Sequence, residues 1–233
     1  KKKITCMDSY CGDKKQAKWE AYQWVMEAVD KGATLLPRMH CDEVIIENNT
    51  ATGINATDHK GREYEIKANA VIVSAGGVGS PSILQRTGIP EAGRKFFFDP
   101  FVVTSGFING PAQPGKELPM LAGMDLHDDG IMLTDITNPW FQSILFNMMS
   151  KRPHKIMKRK GQLSIMIKIK DVMDGTIDID GTICKPLTFE DRNKLNKGKI
   201  IARQILRNLG AKDIWNGALG AAHPGGTCRI GEI

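Results

Sequence analysis

Residues Ala70 to Leu84, AVIVSAGGVGSPSIL, constrain the fold more than any other stretch of the chain. Val71, Ile72 and Val73 form a short continuous apolar run, the mark of a strand buried on both faces. Gly76, Gly77 and Gly79 permit a tight turn and a close approach by another backbone or a ligand. Ser80 can cap the helix that follows, Pro81 fits its first position, and Thr87-Gly88 marks its end. Strand, glycine turn and helix is the order in which nucleotide-binding domains bring backbone N–H groups to phosphates or riboses. The glycines do not spell GxGxxG, and the same order also serves any strand–helix unit of an α/β protein.

The flanking sequence supplies further elements. Ala17 to Asp30 has helical periodicity, with Ala17, Ala21, Trp24, Val25 and Ala28 on one face and Gly32 as C-cap. Val44–Glu47 and Ala51–Thr57 read as strands flanking a turn at Asn48-Asn49-Thr50, and Glu63–Lys67 reads as a third strand. After Pro90 the character changes. Residues 95 to 120 carry Phe96-Phe97-Phe98, Phe101 and four of the 11 prolines, and residues 120–173 hold eight of the 11 methionines. Such methionines fill cores or line a surface for an apolar substrate or partner. Gln162–Lys170 alternates as a strand with Leu163, Ile165, Ile167 and Ile169 on one face. Asp174-Gly175 and Asp180-Gly181 are hairpin signals, so this region reads as antiparallel, in contrast to the parallel-looking first part. A helix then begins at a Thr188/Asp191 capping pair, buries Leu195, Ala202, Ile205 or Leu206, and Leu209, and ends at Gly210.

Charge and cysteine usage exclude several classes. The 233 residues carry a net charge of +6, part of it in Lys1–Lys3 and in the stretch Lys151 to Lys160. These clusters solvate loops or attract phosphates, acidic partners or membrane surfaces, and no nucleic-acid motif accompanies them. No apolar run reaches the ~18 residues of a transmembrane span, and the first residues lack the apolar stretch of a secretory signal. The five cysteines, Cys6, Cys11, Cys41, Cys184 and Cys228, are odd in number and scattered, which favours free thiols, no metal site and a cytoplasmic setting.

The last segment, Ala221 to Gly231, reads AAHPGGTCRIG. His223 sits beside Pro-Gly-Gly, where little side-chain bulk competes for the space around the imidazole. Histidine titrates near neutrality and can take or give a proton, although a lone histidine also serves as a hydrogen-bonded structural residue. HPGGTCRIG resembles the His-x-x-Gly-Thr-Cys-Arg-Met-Gly motif of the glucose–methanol–choline (GMC) flavoprotein oxidoreductases. Ala75 to Ile89, AGGVGSPSILQRTGI, resembles that family's second signature, with Thr87 for its Ser and Pro90 for its usual Gly. The order AKW, helix, KGATLL, CDEVIIENNTATGI from Lys14 to Ile54, and Asp180 to Asp191 with the following helix, are similar as well.

The resemblance implies an α/β chain (α+β overall). It would hold a partial FAD-binding Rossmann-like domain and a substrate domain with an antiparallel sheet flanked by helices. The implied segments are 1–93 for the first, 94–218 for the second, and 219–233 for a return carrying the histidine motif. FAD is the implied cofactor and a small-molecule alcohol the implied substrate, with the Met-rich stretch leaning towards an apolar one. His223 would accept the hydroxyl proton while hydride passes to flavin N5. Val44 would meet the adenine through its backbone, Ala75, Gly76 and Gly77 would lie along the ADP half, and Thr227 and Cys228 would be near the flavin. Cys6 and Cys11 match part of the three-cysteine iron–sulfur spacing of some sugar dehydrogenases in the family. Thr5 precedes Cys6, so the third thiolate is absent and no cluster is expected. The family's opening GxGxxG segment and its segment beyond the histidine motif are not in this sequence. The expectation is therefore an internal fragment that by itself binds FAD weakly or not at all and is inactive. A non-redox lyase on the same fold and a non-catalytic scaffold remnant of a flavoprotein are the alternatives. The electron acceptor is left open.

Overall fold

A computed structural model describes residues 19–110, 112, 119–137, 140–149 and 151–231. In chain order the elements are α1 (Tyr22–Asp30), β1 (Met39–Glu47), β2 (Thr50–Asp58), β3 (Glu63–Lys67), α2 (Gly76–Arg86), β4 (Arg94–Phe96) and β5 (Pro100–Phe107). There follow β6 (Gly123–Leu126), β7 (Ile131–Asp135), α3 (Trp140–Met149), β8 (Gln162–Ile169), β9 (Gly175–Ile177), β10 (Ile183–Cys184), α4 (Phe189–Asn208) and β11 (Lys212–Ala221). Short 3₁₀ segments cover His127–Asp129 and Pro153–Gly161. The mixed helix and antiparallel-sheet content is that of the expected α/β (α+β) class. The chain divides into two compact units.

The first unit comprises Asp99–Asp171 and Leu187–Ala222, together with residues 19–21. Its centre is a five-stranded antiparallel sheet in the order β11-β5-β8-β7-β6. Alternation along β8 puts Ile165, Ile167 and Ile169 on one face, where they meet Val102, Ile131 and Leu133 from neighbouring strands and Leu195 and Ala202 of α4. Gly198 lets α4 come close. A Cβ there would strike the γ-methyl of Ile167. The helix opens on the expected capping box, with Thr188 Oγ1 accepting from Asp191 N–H at 3.1 Å and Asp191 Oδ2 accepting from Thr188 N–H at 2.9 Å. Leu206 is the buried residue of its last turns; Leu209, expected on the same face, is exposed because the helix has ended. On the other face Ser105, Gln162, Ser164 and Asn147 form a buried hydrogen-bonded set. Arg152 of the basic stretch lies over the Trp215 ring, 5.1 Å from its centroid, so this cation is a packing contact. Of the eight methionines in 120–173 only Met166 is buried, so core filling is not their general role.

The second unit comprises Tyr22–Phe98, Val172–Pro186 and His223–Ile233. Helix α1 forms and ends in a Gly32 cap, with Ala33 N–H bonded to the Ala28 carbonyl at 2.9 Å. Its expected apolar face, Trp24 and Val25 included, is exposed; Ala17 lies outside the described residues. β1, β2 and β3 make a three-stranded antiparallel meander. The β1–β2 turn is Asn48-Asn49 with φ of 49° and 60°, the left-handed pair a two-residue hairpin requires and asparagine tolerates. A second small sheet runs β10-β9-β4, its hairpin closed by Gly181 at φ 84°.

Two local expectations are corrected. Val71–Val73 form no strand, and Ile72 is 88% exposed. An apolar run becomes a buried strand only when neighbours take its backbone hydrogen bonds, and no described strand pairs with it. α2 begins at Gly76 rather than after Ser80, so Pro81 is inside the helix and Ser80 is buried within it instead of capping it. The glycine turn itself supplies the helical entry, with Gly76 at φ 74°.

The Asp58 turn between β2 and β3 gives a pH prediction. The Arg62 backbone N–H on its carboxylate, at 3.0 Å, leads the interactions that lower its pKa to about 2. Arg62 Nε at 2.8 Å and Lys60 N–H at 2.8 Å add to it. A folded pKa below the unfolded value means these bonds stabilise the turn above the ordinary carboxylate range and are lost as pH falls through about 2. We expect the Asp58 carboxyl to titrate near pH 2 by NMR. Asp58→Asn should accelerate Lys60 and Arg62 amide exchange at about pH 5 and remove that pH dependence. A midpoint at about 4 would contradict the geometry.

Candidate functional site

The two motifs singled out in the sequence meet in the second unit. Beyond Ala222 the chain turns at His223, which has φ 48° and an exposed side chain. Pro224 and Gly225 then pass directly over the start of α2. A Cβ on Gly77 would collide with the Pro224 carbonyl and come within 2.9 Å of Gly225 Cα. Gly225 also exchanges two backbone hydrogen bonds with Phe97, 3.0 and 3.1 Å long. The Phe97 ring covers Gly225 and Gly226, so a Cβ on either would strike it. Strand periodicity explains why Phe97 is free to do this. Phe96 and Phe98 stack on the opposite face, 6.3 Å between centroids. Thr227 closes the contact. Its hydroxyl donates to the Gly77 carbonyl at 2.8 Å and its carbonyl accepts from Gly93 N–H at 2.9 Å.

The expected site residues are placed as follows. Ala75 and Gly76 are exposed, and the space in front of Gly76 is open, with nothing within 4 Å of where a Cβ would be. Gly77 is the point of contact with the histidine segment. Val44 is buried in β1, and its N–H donates to Thr87 Oγ1 at 2.9 Å, so that donor is already engaged. Thr227 is buried, with its hydroxyl on Gly77. Cys228 is half-buried, and burial pushes its thiol up while its contact with Thr227 Oγ1 pulls the other way. A thiol raised by burial is a poor nucleophile. The Cys41 thiol is likewise pushed up by burial, helped by the Asp42 charge. Cys41, Cys184 and Cys228 are free thiols, while Cys6 and Cys11 lie outside the described residues.

Sequence reading missed Phe97, Gly93 and Thr87. Their roles depend on contacts between distant segments. The one signal available was the Gly225-Gly226 pair, which marks a close approach without saying by what. A cleft of about 430 Å³ lies in the first unit, lined by Asp129, Phe189, Glu190, Lys194 and Lys197 among others. Its lysines are paired, Lys197 with Asp129 and Lys194 with Glu190, both at 2.6 Å. Among the described residues no three His, Cys, Asp or Glu side chains come together as a metal site, and no helix is long and apolar enough to cross a membrane.

The Gly77 contact gives a stability prediction. All three nearest neighbours of a Cβ there are backbone atoms, which cannot swing aside. We expect Gly77→Ala to destabilise this unit by about 1–3 kcal/mol in urea unfolding. A neutral effect would mean that the histidine segment does not rest on the glycine turn.

Comparison with known proteins follows the same line. Residues 1–111 match the model of the GMC oxidoreductase family. An uncharacterized protein of Methanocaldococcus jannaschii is 30% identical over 216 residues, 92% of this chain and 53% of that protein. The chain thus spans about half the length of the curated relative it matches. Pyridoxine 4-oxidase from Mesorbium loti superposes with a TM-score of 0.59 at 14% identity, over 82% of this chain and 47% of that one. A formate oxidase variant of Aspergillus oryzae, made to examine FAD modification, gives 0.61 at 15% identity, over 84% and 51%. At such identities the two structures show a shared fold.

Proposed function

We propose that the chain, whose residues 1–111 match the GMC oxidoreductase family, is a member of that family and contributes the proton-accepting residue of an FAD-dependent oxidation of an alcohol. The observation that carries this reading is the seating of the His223 segment on the glycine turn at Gly76–Gly77. A candidate base and an exposed glycine turn with open space in front of it are thereby held by the same short contact. The turn fits a flavin cofactor. Gly76 has open space where a side chain would be, and Ala75 is exposed beside it, so both could hold the ADP half along the backbone. Gly77 supports the turn from beneath. Val44 N–H and the Thr227 hydroxyl are engaged within the chain and are not proposed as contacts.

FAD, when bound, supplies the acceptor for the hydride. The chain's own part is the proton. The exposed His223 imidazole takes the hydroxyl proton of the alcohol, which makes loss of the carbon-bound hydrogen easier. Small flanking residues, Pro224 to Gly226, keep side-chain bulk away from that imidazole. The proposed substrate is a small-molecule alcohol.

The test is a visible absorption spectrum of the full-length protein that carries this chain, supplied with FAD and taken anaerobically before and after addition of a panel of alcohols. We expect flavin bands that bleach with at least one alcohol. A protein that binds no FAD, or a bound flavin that no alcohol bleaches, would overturn the proposal.

A further inference from the structure

Pro81 stands six residues into α2 and has no N–H. In an α-helix that N–H would serve the carbonyl four residues earlier, which here belongs to Gly77. The Gly77 carbonyl instead accepts the Thr227 hydroxyl at 2.8 Å. Thr227 is buried, so its hydroxyl proton needs an acceptor inside the protein, and the Gly77 carbonyl needs a donor. Each deficit answers the other across 150 residues of sequence. The same residue is anchored a second time by Gly93 N–H on its carbonyl. Two residues before it, Gly225 is tied on both sides to Phe97. His223 is therefore only four residues from a pinned point, with a doubly bonded glycine between.

We propose that Thr227 is a positioning residue: its hydroxyl supplies the hydrogen bond that Pro81 cannot, and so fixes the His223 segment on the glycine turn. This rests on the reading of His223 as the base for its consequence in catalysis, but the pinning itself does not. It assigns Thr227 to the chain's own architecture rather than to contact with the flavin. It also makes Pro81 and Thr227 an energetically coupled pair, although they belong to different motifs.

A double-mutant cycle tests the coupling. Thr227→Val removes the donor and keeps the shape. Thr227→Ser keeps the hydroxyl. Pro81→Ala returns a backbone N–H to Gly77. The first readout needs no turnover: exchange of the Gly225 amide and the NMR signal of the His223 imidazole. We expect Thr227→Val to speed Gly225 exchange about 5- to 10-fold and to move the His223 signal, as loss of one hydrogen bond would. Thr227→Ser should behave as wild type, and in the Pro81→Ala background the effect of Thr227→Val should shrink to under about twofold. The second readout is alcohol oxidation. Thr227→Val should lower kcat by about 100-fold with KM little changed, because a base displaced by about 1 Å loses that much. Equal effects of Thr227→Val in both backgrounds, or an unmoved Gly225 amide, would overturn the proposal. If the wild type oxidises no alcohol while the exchange results hold, the reading of His223 fails and the pinning stands.

Discussion

Replacing His223 with asparagine in the flavin-loaded protein should slow anaerobic flavin reduction by the alcohol about 10²- to 10⁴-fold, the usual contribution of a positioned general base. Asparagine is the informative substitution. His223 sits at φ 48°, a conformation that asparagine accepts and alanine accepts less readily. The side chain is exposed, so its loss opens no cavity. Stability should therefore stay within about 0.5 kcal/mol of wild type, as for other exposed substitutions. The loss should fall on kcat with the FAD affinity unchanged, since the open backbone at Gly76 is untouched. A variant that reduces flavin at the wild-type rate would remove His223 from the reaction.

Ile167→Ala should have the largest effect on folding and little on local cofactor chemistry. Ile167 is 0% exposed and lies at the centre of the five-stranded sheet, paired with Val102 on one side and Leu133 on the other. Its γ-methyl is the atom on which Gly198 of α4 rests. Truncation removes the methyl groups and leaves a cavity that sheet and helix cannot both collapse into. We expect a loss of about 2–5 kcal/mol. For a chain of this size that lowers the thermal midpoint of the unit by about 5–15 °C. A fall under about 2 °C would mean that α4 does not pack on this face as the structure has it.

Local chemistry was legible in the sequence, and tertiary dependence was not. The Asn48-Asn49 turn, the Gly32 cap and the Thr188/Asp191 box each depend on residues within a few positions, and each forms as read. The Ile alternation of β8 was legible for the same reason, because pleating alone decides which side chains share a face. Val71–Val73 failed because strand formation needs partners, and an apolar run does not say whether its neighbours are at hand. Pro81 was misplaced by assuming that proline opens a helix. What allows it inside α2 is a hydroxyl 146 positions later, where no local rule looks. The candidate site was legible as two motifs but not as one contact. Phe97, the residue that covers both glycines, read only as one of three consecutive aromatics.

The most direct measurement is single-turnover flavin reduction with an alcohol deuterated at its carbinol carbon, comparing the wild type with His223→Asn. Slower bleaching with the deuterated alcohol is expected in the wild type, since that carbon–hydrogen bond breaks as hydride leaves. A further loss of rate is expected in the His223→Asn variant with either alcohol. Bleaching at one rate for both alcohols and both proteins would contradict the reading of His223 as the base.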